Sequence, residues 1–93
     1  MQYKVINGFL LRQLQDEYLL IPSGAAAQRF SGLIALNETG ADLFRILQSG
    51  ATKEEMLLKM RSCYAVSEQE LAADIEEILA QLRELGILIE EET

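Results

Sequence analysis

The strongest constraint on the fold lies between Phe30 and Gly50, FSGLIALNETGADLFRILQSG, where one periodicity gives way to another without a linker. Phe30, Gly32, Ile34 and Leu36 alternate with Ser31, Leu33 and Ala35, the two-residue period of a strand. Asn37 interrupts the alternation. Its side-chain oxygen suits a helix N-terminus, where the first backbone N–H groups have no partner within the helix. Beyond it Leu43, Phe44 and Leu47 recur at helical spacing, with Ile46 on the flank. Glu38 and Asp42 stand near the start, where the helix dipole favours anions. Gly50 supplies a residue that takes the left-handed conformation past a helix end. The chain is therefore expected to pass from strand to helix at Asn37, with more sheet before it and more helix after.

The flanking segments carry weaker versions of the same signals. Met1 to Gly8 reads as a polar lead-in. Phe9–Leu14 and Tyr18–Ile21, separated by the polar Gln15-Asp16-Glu17, read as a hairpin that Pro22 ends. Ser23 to Gln28, with Gly24 and three alanines, reads as a flexible loop. Thr52-Lys53-Glu54-Glu55 has capping-box spacing, and Met56, Leu57, Met60 and Tyr64 then share one helical face. Ser67-Glu68-Gln69-Glu70 repeats the capping pattern. It opens the longest helix, Glu68 to about Leu85, with an apolar stripe of Leu71, Ile75, Ile78, Leu79, Leu82 and Leu85. Gly86 stops it. Ile87-Leu88-Ile89 is a short strand or a packed tail, and Glu90 to Thr93 is expected to fray. The order β-β-β-α-α-α predicts an α+β domain, winged helix-turn-helix-like, with a three-stranded antiparallel sheet followed by three helices. A single domain fills residues 1–93, with 1–8 and 90–93 flexible.

Composition removes several function classes. The 93 residues include no histidine and one cysteine, Cys63, so the commonest general base and metal ligand is missing and no internal disulfide can form. No catalytic constellation, metal site or cofactor motif is visible, and the chain reads as no enzyme. It carries neither a secretory signal pattern nor an apolar run long enough to span a bilayer, so the expectation is a cytoplasmic protein without membrane contact. Charge is uneven. From Ser67 onward nine acids stand against Arg83 alone, whereas residues 1–66 hold six acids and seven bases. Such a last helix would repel a phosphate backbone, which weighs against nucleic acid as the partner of the helix-turn-helix. A winged-helix DNA binder and a plain dimerisation module remain as alternatives.

Several elements also occur in a family order: Leu36-Asn37-Glu38-Thr39-Gly40-Ala41, the helix ending at Gly50, Thr52-Lys53-Glu54-Glu55, Tyr64-Ala65-Val66-Ser67 and Leu82-Arg83-Glu84-Leu85-Gly86-Ile87-Leu88. Together, from about residue 9 to residue 89, they resemble the PqqD-like proteins. The founding member serves pyrroloquinoline quinone biosynthesis. The wider group recognises precursor peptides in pathways of ribosomally made, post-translationally modified peptides. The resemblance implies a peptide chaperone that holds a leader and presents the rest of the precursor to a modifying enzyme, in many pathways a radical S-adenosylmethionine protein. It implies no cofactor of its own, and leaves a homodimer open. In the family the leader adds to the third strand of the sheet and lies against the third helix, so main-chain bonds give affinity and side-chain pockets give specificity. Carried onto this sequence, the strand is Phe30, Ser31, Gly32, Leu33, Ile34, Ala35 and Leu36. The helix contributes Asp74, Glu77, Ile78 and Gln81. Asp74, Glu77 and Gln81 share one flank, where they would meet basic or donor groups, and Glu76 and Arg83 lie on the opposite one. An apolar Ser31, Leu33 and Ala35 side must be covered by a partner or buried under helices.

Overall fold

The computed structural model describes residues 1–30 and 32–92. The elements in order are β1 (Gln2–Val5), β2 (Phe9–Leu14), β3 (Glu17–Pro22), α1 (Ala25–Arg29), β4 (Ile34–Leu36), α2 (Glu38–Ser49), α3 (Lys53–Arg61), α4 (Glu68–Glu84) and β5 (Leu88–Glu91). β2, β3 and β4 form a three-stranded antiparallel sheet in that spatial order, and β1 pairs with β5 in a separate two-stranded ladder. The expected α+β architecture, with its three-stranded sheet and three long helices, is what the chain adopts. It gains one short helix and one extra ladder.

The hairpin register runs from Phe9 opposite Pro22 to Leu14 opposite Glu17, leaving Gln15 and Asp16 as a two-residue turn with Gln15 at φ 58°. Leu20, fully buried, stands opposite Ile34, and Tyr18 opposite Leu36. Phe9, Leu20 and Leu36 are buried with the helices, while Leu10, Leu33 and Ala35 are exposed. The side carrying Leu33 and Ala35 is thus not covered by helices.

α2 is the hub, touching β1, β3, β4, α3 and α4. Its Leu43, Phe44 and Leu47 are buried, as their spacing predicts, and Ala41 is buried with them. Asn37 caps it, Oδ1 accepting the Gly40 N–H at 2.7 Å. Gly50 ends it at φ +89°. The Thr52 box forms in full: Oγ1 accepts from the Glu55 N–H at 3.2 Å, and Glu55 Oε1 accepts from the Thr52 N–H at 2.8 Å. The Thr52 N–H, and then its hydroxyl, hold the Glu55 carboxyl below its ordinary pKa. The Ser67 box forms by half. Its Oγ accepts from the Glu70 N–H at 3.1 Å, without the return bond. Leu71, Ile75, Ile78, Leu79 and Leu82 of α4 are buried, but Leu85 is not. It sits at the C-cap, its N–H still bonded to the Gln81 carbonyl, and stays exposed.

Four further expectations change. Met1 to Gly8 is no mere lead-in: Gln2–Val5 forms β1, with Gln2 opposite Glu91 and Val5 opposite Leu88, and Tyr3 also bridges Ala51. Glu90 and Glu91 are therefore ladder residues, and Thr93 lies outside the described residues. Ile87 is fully buried and leads into β5, so the terminal apolar run is both a packed segment and a strand. Most of the loop expected from Ser23 to Gln28 is taken up by α1, which runs on to Arg29 and whose Ala26 packs against Gly8. A Cβ on Gly8, which holds φ +106°, would lie 2.9 Å from the Ala26 Cβ, so only glycine permits the contact. Finally, the strand expected over Phe30–Leu36 is confined to Ile34–Leu36. Phe30 is the C-cap of α1 and packs edge-on against Phe9, with ring centroids 5.2 Å apart. Gly32 lies at φ +81°, incompatible with continuing a strand.

Candidate functional site

β4 is an edge strand. One side bonds β3, and no strand pairs with the other side among the described residues. An unpaired row of N–H and C=O groups is a template for an additional strand. Where β4 runs into α2, a cleft of about 210 Å³ opens toward α4. Ala35 and Leu36 form its strand wall, and Asn37, Thr39 and Gly40 form the corner where α2 begins. Asp74, Glu77, Ile78 and Gln81 form its helical wall. The volume is below the roughly 300–1,000 Å³ of ordinary small-molecule pockets. It suits one or two side chains of something lying along the strand.

The helical wall follows from α4's phase. Residues 74, 77, 78 and 81 fall at i, i+3, i+4 and i+7, one stripe of the helix. Ile78, 7% exposed, belongs both to the core and to the cleft floor. Asp74, Glu77 and Gln81 are exposed beside it. The expected grouping of these four is therefore present. The expected strand contribution is only partly so. Ala35 and Leu36 line the cleft, Ile34 belongs to β4 but packs toward the core, and Phe30, Gly32 and Leu33 fall outside both β4 and the cleft lining. Ser31 lies outside the described residues. Asn37, Thr39 and Gly40 enter the sequence reading as a cap and as part of the family element Leu36–Ala41, with no site role attached. The signal for all three was the junction itself, because a strand that turns directly into a helix sets the first helical turn beside the strand's end.

The electrostatics of α4 differ between its sides. Glu76 meets Lys53 of α3 at 2.5 Å, which raises the Lys53 pKa above its ordinary value, and Glu68 lies 3.9 Å from Arg61. Arg83 bonds Glu90 of β5 at 2.5 Å, holding the Glu90 carboxyl below its usual range. These exposed pairs add little stability each, but they occupy the cations near that side. Asp74 and Glu77 take part in no ion pair among the described residues, and neither lysine nor arginine lines the cleft. The cleft is thus an acidic wall over an apolar floor. No group of three or more histidine, cysteine, aspartate or glutamate residues that could hold a metal occurs among the described residues. Cys63 is exposed, its sulfur 3.9 Å from the Lys59 carbonyl. No described helix is long and apolar enough to cross a membrane.

Elsewhere, the Tyr64 hydroxyl donates to Asp42 Oδ2, tying the segment after α3 to α2. Burial, and then that bond, push the Tyr64 pKa above its ordinary value.

No curated protein sequence matches this chain. Two solved structures share its fold at 18% identity. TbiB1 in complex with the TbiA(beta) leader peptide has a TM-score of 0.70, covering 97% of this chain and 99% of that one. Lasso peptide synthetase B1 complexed with the leader peptide has a TM-score of 0.68, covering 95% and 98%. The family model for coenzyme PQQ synthesis protein D matches residues 17–88, a span from the start of β3 to the first residue of β5 that contains the open strand, the capped α2 and the helical wall. The chain belongs to the PqqD family.

Proposed function

We propose that this protein binds the leader segment of a ribosomally made precursor peptide by strand addition to β4. The observation that carries the reading is the open edge of Ile34–Leu36 beside a cleft walled by α4. An extended segment along β4 would use main-chain donors and acceptors, and every second side chain would turn toward Ile78 and its neighbours. Membership of the PqqD family supports the choice of ligand, as does a fold shared with two proteins solved with leader peptides. In this reading the protein is a non-catalytic cytoplasmic carrier. It presents the precursor to a modifying enzyme, for which a radical S-adenosylmethionine protein is the first choice. DNA binding is disfavoured by the acidic face of α4, which would repel phosphates.

The test is amide hydrogen exchange with and without a leader peptide from a precursor encoded beside this chain's gene. Protection is expected to rise at residues 34–36 and along the cleft stripe of α4. Protection confined to residues 52–66 would move the site to α3. Absence of saturable binding would remove the function.

A further inference from the structure

Resting on the leader-binding reading, we infer that the ligand is chosen by a basic side chain and a hydrogen-bonding side chain two residues from it. The argument begins with the shortness of the docking strand. β4 has three residues, so an added strand gains only a few main-chain bonds there, each of modest net value in water. Such bonds are also blind to sequence. Selectivity therefore falls to the side chains that enter the cleft.

The cleft specifies their chemistry. Asp74 and Glu77 have no cation within the described chain, while Glu68 and Glu76, on the side of α4 toward α3, have theirs. A lysine or arginine from the ligand would supply the missing charge. Its aliphatic stem would lie over Ile78 and its head between the two carboxylates, the usual division of such a side chain between apolar and polar surroundings. Gln81 offers a neutral donor and acceptor at the far end of the stripe.

The spacing sets the pattern. Along an α-helix the rise from Glu77 to Gln81 is about 6 Å, at about 1.5 Å per residue. Side chains on one face of a strand repeat at about 6.6 Å. For a strand lying along α4, two successive inward residues of the ligand match Glu77 and Gln81. The basic residue faces Asp74 and Glu77, and an asparagine, glutamine, serine or threonine two positions away faces Gln81. Which of the two comes first reports whether the ligand runs parallel or antiparallel to β4.

The experiment is an in vitro selection of random peptides of about twelve residues against the whole chain at low salt, repeated with Glu77→Gln and Glu77→Lys. The selected peptides are expected to share lysine or arginine at one position with a polar residue two places off. Replacing that basic residue by norleucine, which keeps the stem, should weaken binding about three- to tenfold. The same replacement should change binding less than about twofold when the protein carries Glu77→Gln, and Glu77→Lys should select an acidic residue there. Glu84→Gln, on α4 but outside the cleft, is the control and should behave as the parent; circular dichroism verifies the fold of each variant. Peptides that protect residues 34–36 but show no basic preference, or keep it in Glu77→Gln, overturn this inference and leave leader binding standing. Failure to select any peptide overturns both.

Discussion

Tyr64 is the residue whose environment departs most from that of the free side chain. Its hydroxyl is partly withdrawn from water and donates to Asp42, so the folded state holds the phenol proton more tightly than the unfolded chain does. The sign of the consequence follows from linkage. Below the ordinary tyrosine pKa of 10.0 both states are protonated and the contribution is complete. As pH rises beyond it the unfolded chain releases the proton first, and stability is lost. Tyr64→Phe is expected to cost about 1 kcal/mol at neutral pH, because the Asp42 carboxylate loses a donor at a partly exposed site. Above pH 10 the gap between variant and parent should narrow. Thermal melts of both proteins from pH 7 to 11 measure it, and a gap that stays constant would show that the phenol is not coupled to folding. Thr52 is the second informative residue. Its hydroxyl satisfies one of the orphan N–H groups of α3, so Thr52→Ala should lower stability by about 1 kcal/mol in urea titration, with little change in slope.

At the scale of elements, α4 serves both the core and the cleft. One stripe packs into the core and an adjoining one walls the cleft, with Ile78 shared between them. Leu79 and Leu82 are fully buried in the packed stripe, so replacing either by alanine should cost about 2–5 kcal/mol. Melting curves unchanged in both variants would mean that the helix is rotated from the phase described. That phase was legible in the sequence because seventeen residues of periodic pattern leave little choice, and so was the cap at Asn37, which rests on local chemistry. β4 was harder. The alternation of Phe30, Gly32, Ile34 and Leu36 is real, but periodicity cannot show that the Phe30 ring is claimed by Phe9 or that Gly32 turns to φ +81°. α1 was hidden for a related reason. Five residues are too few to be helical on their own, and what holds them is a tertiary contact with Gly8. The cleft was legible as far as α4's flank reached. Its corner at Thr39 and Gly40 came only with the structure.

At the scale of the whole molecule, the ladder between β1 and β5 joins the first described residues to the last. Gln2–Val5 shows only two buried side chains, Tyr3 and Val5, and its partner lies nearly the full length of the chain away. No local pattern could announce that pairing. Its geometry has a mechanical meaning. Gln2 stands opposite Glu91, so a pull applied to the two ends loads the ladder at one end and across the strands. Bonds then yield one after another instead of sharing the load. In an optical trap, opening of this ladder should appear as a separate low-force step before the core gives way; a single high-force rupture would mean that the ladder is not a distinct unit. β5 continues from α4 through the buried Ile87, so tension reaches the wall of the cleft only after the ladder has peeled. A pull on the two ends therefore meets a sacrificial link before it meets α4.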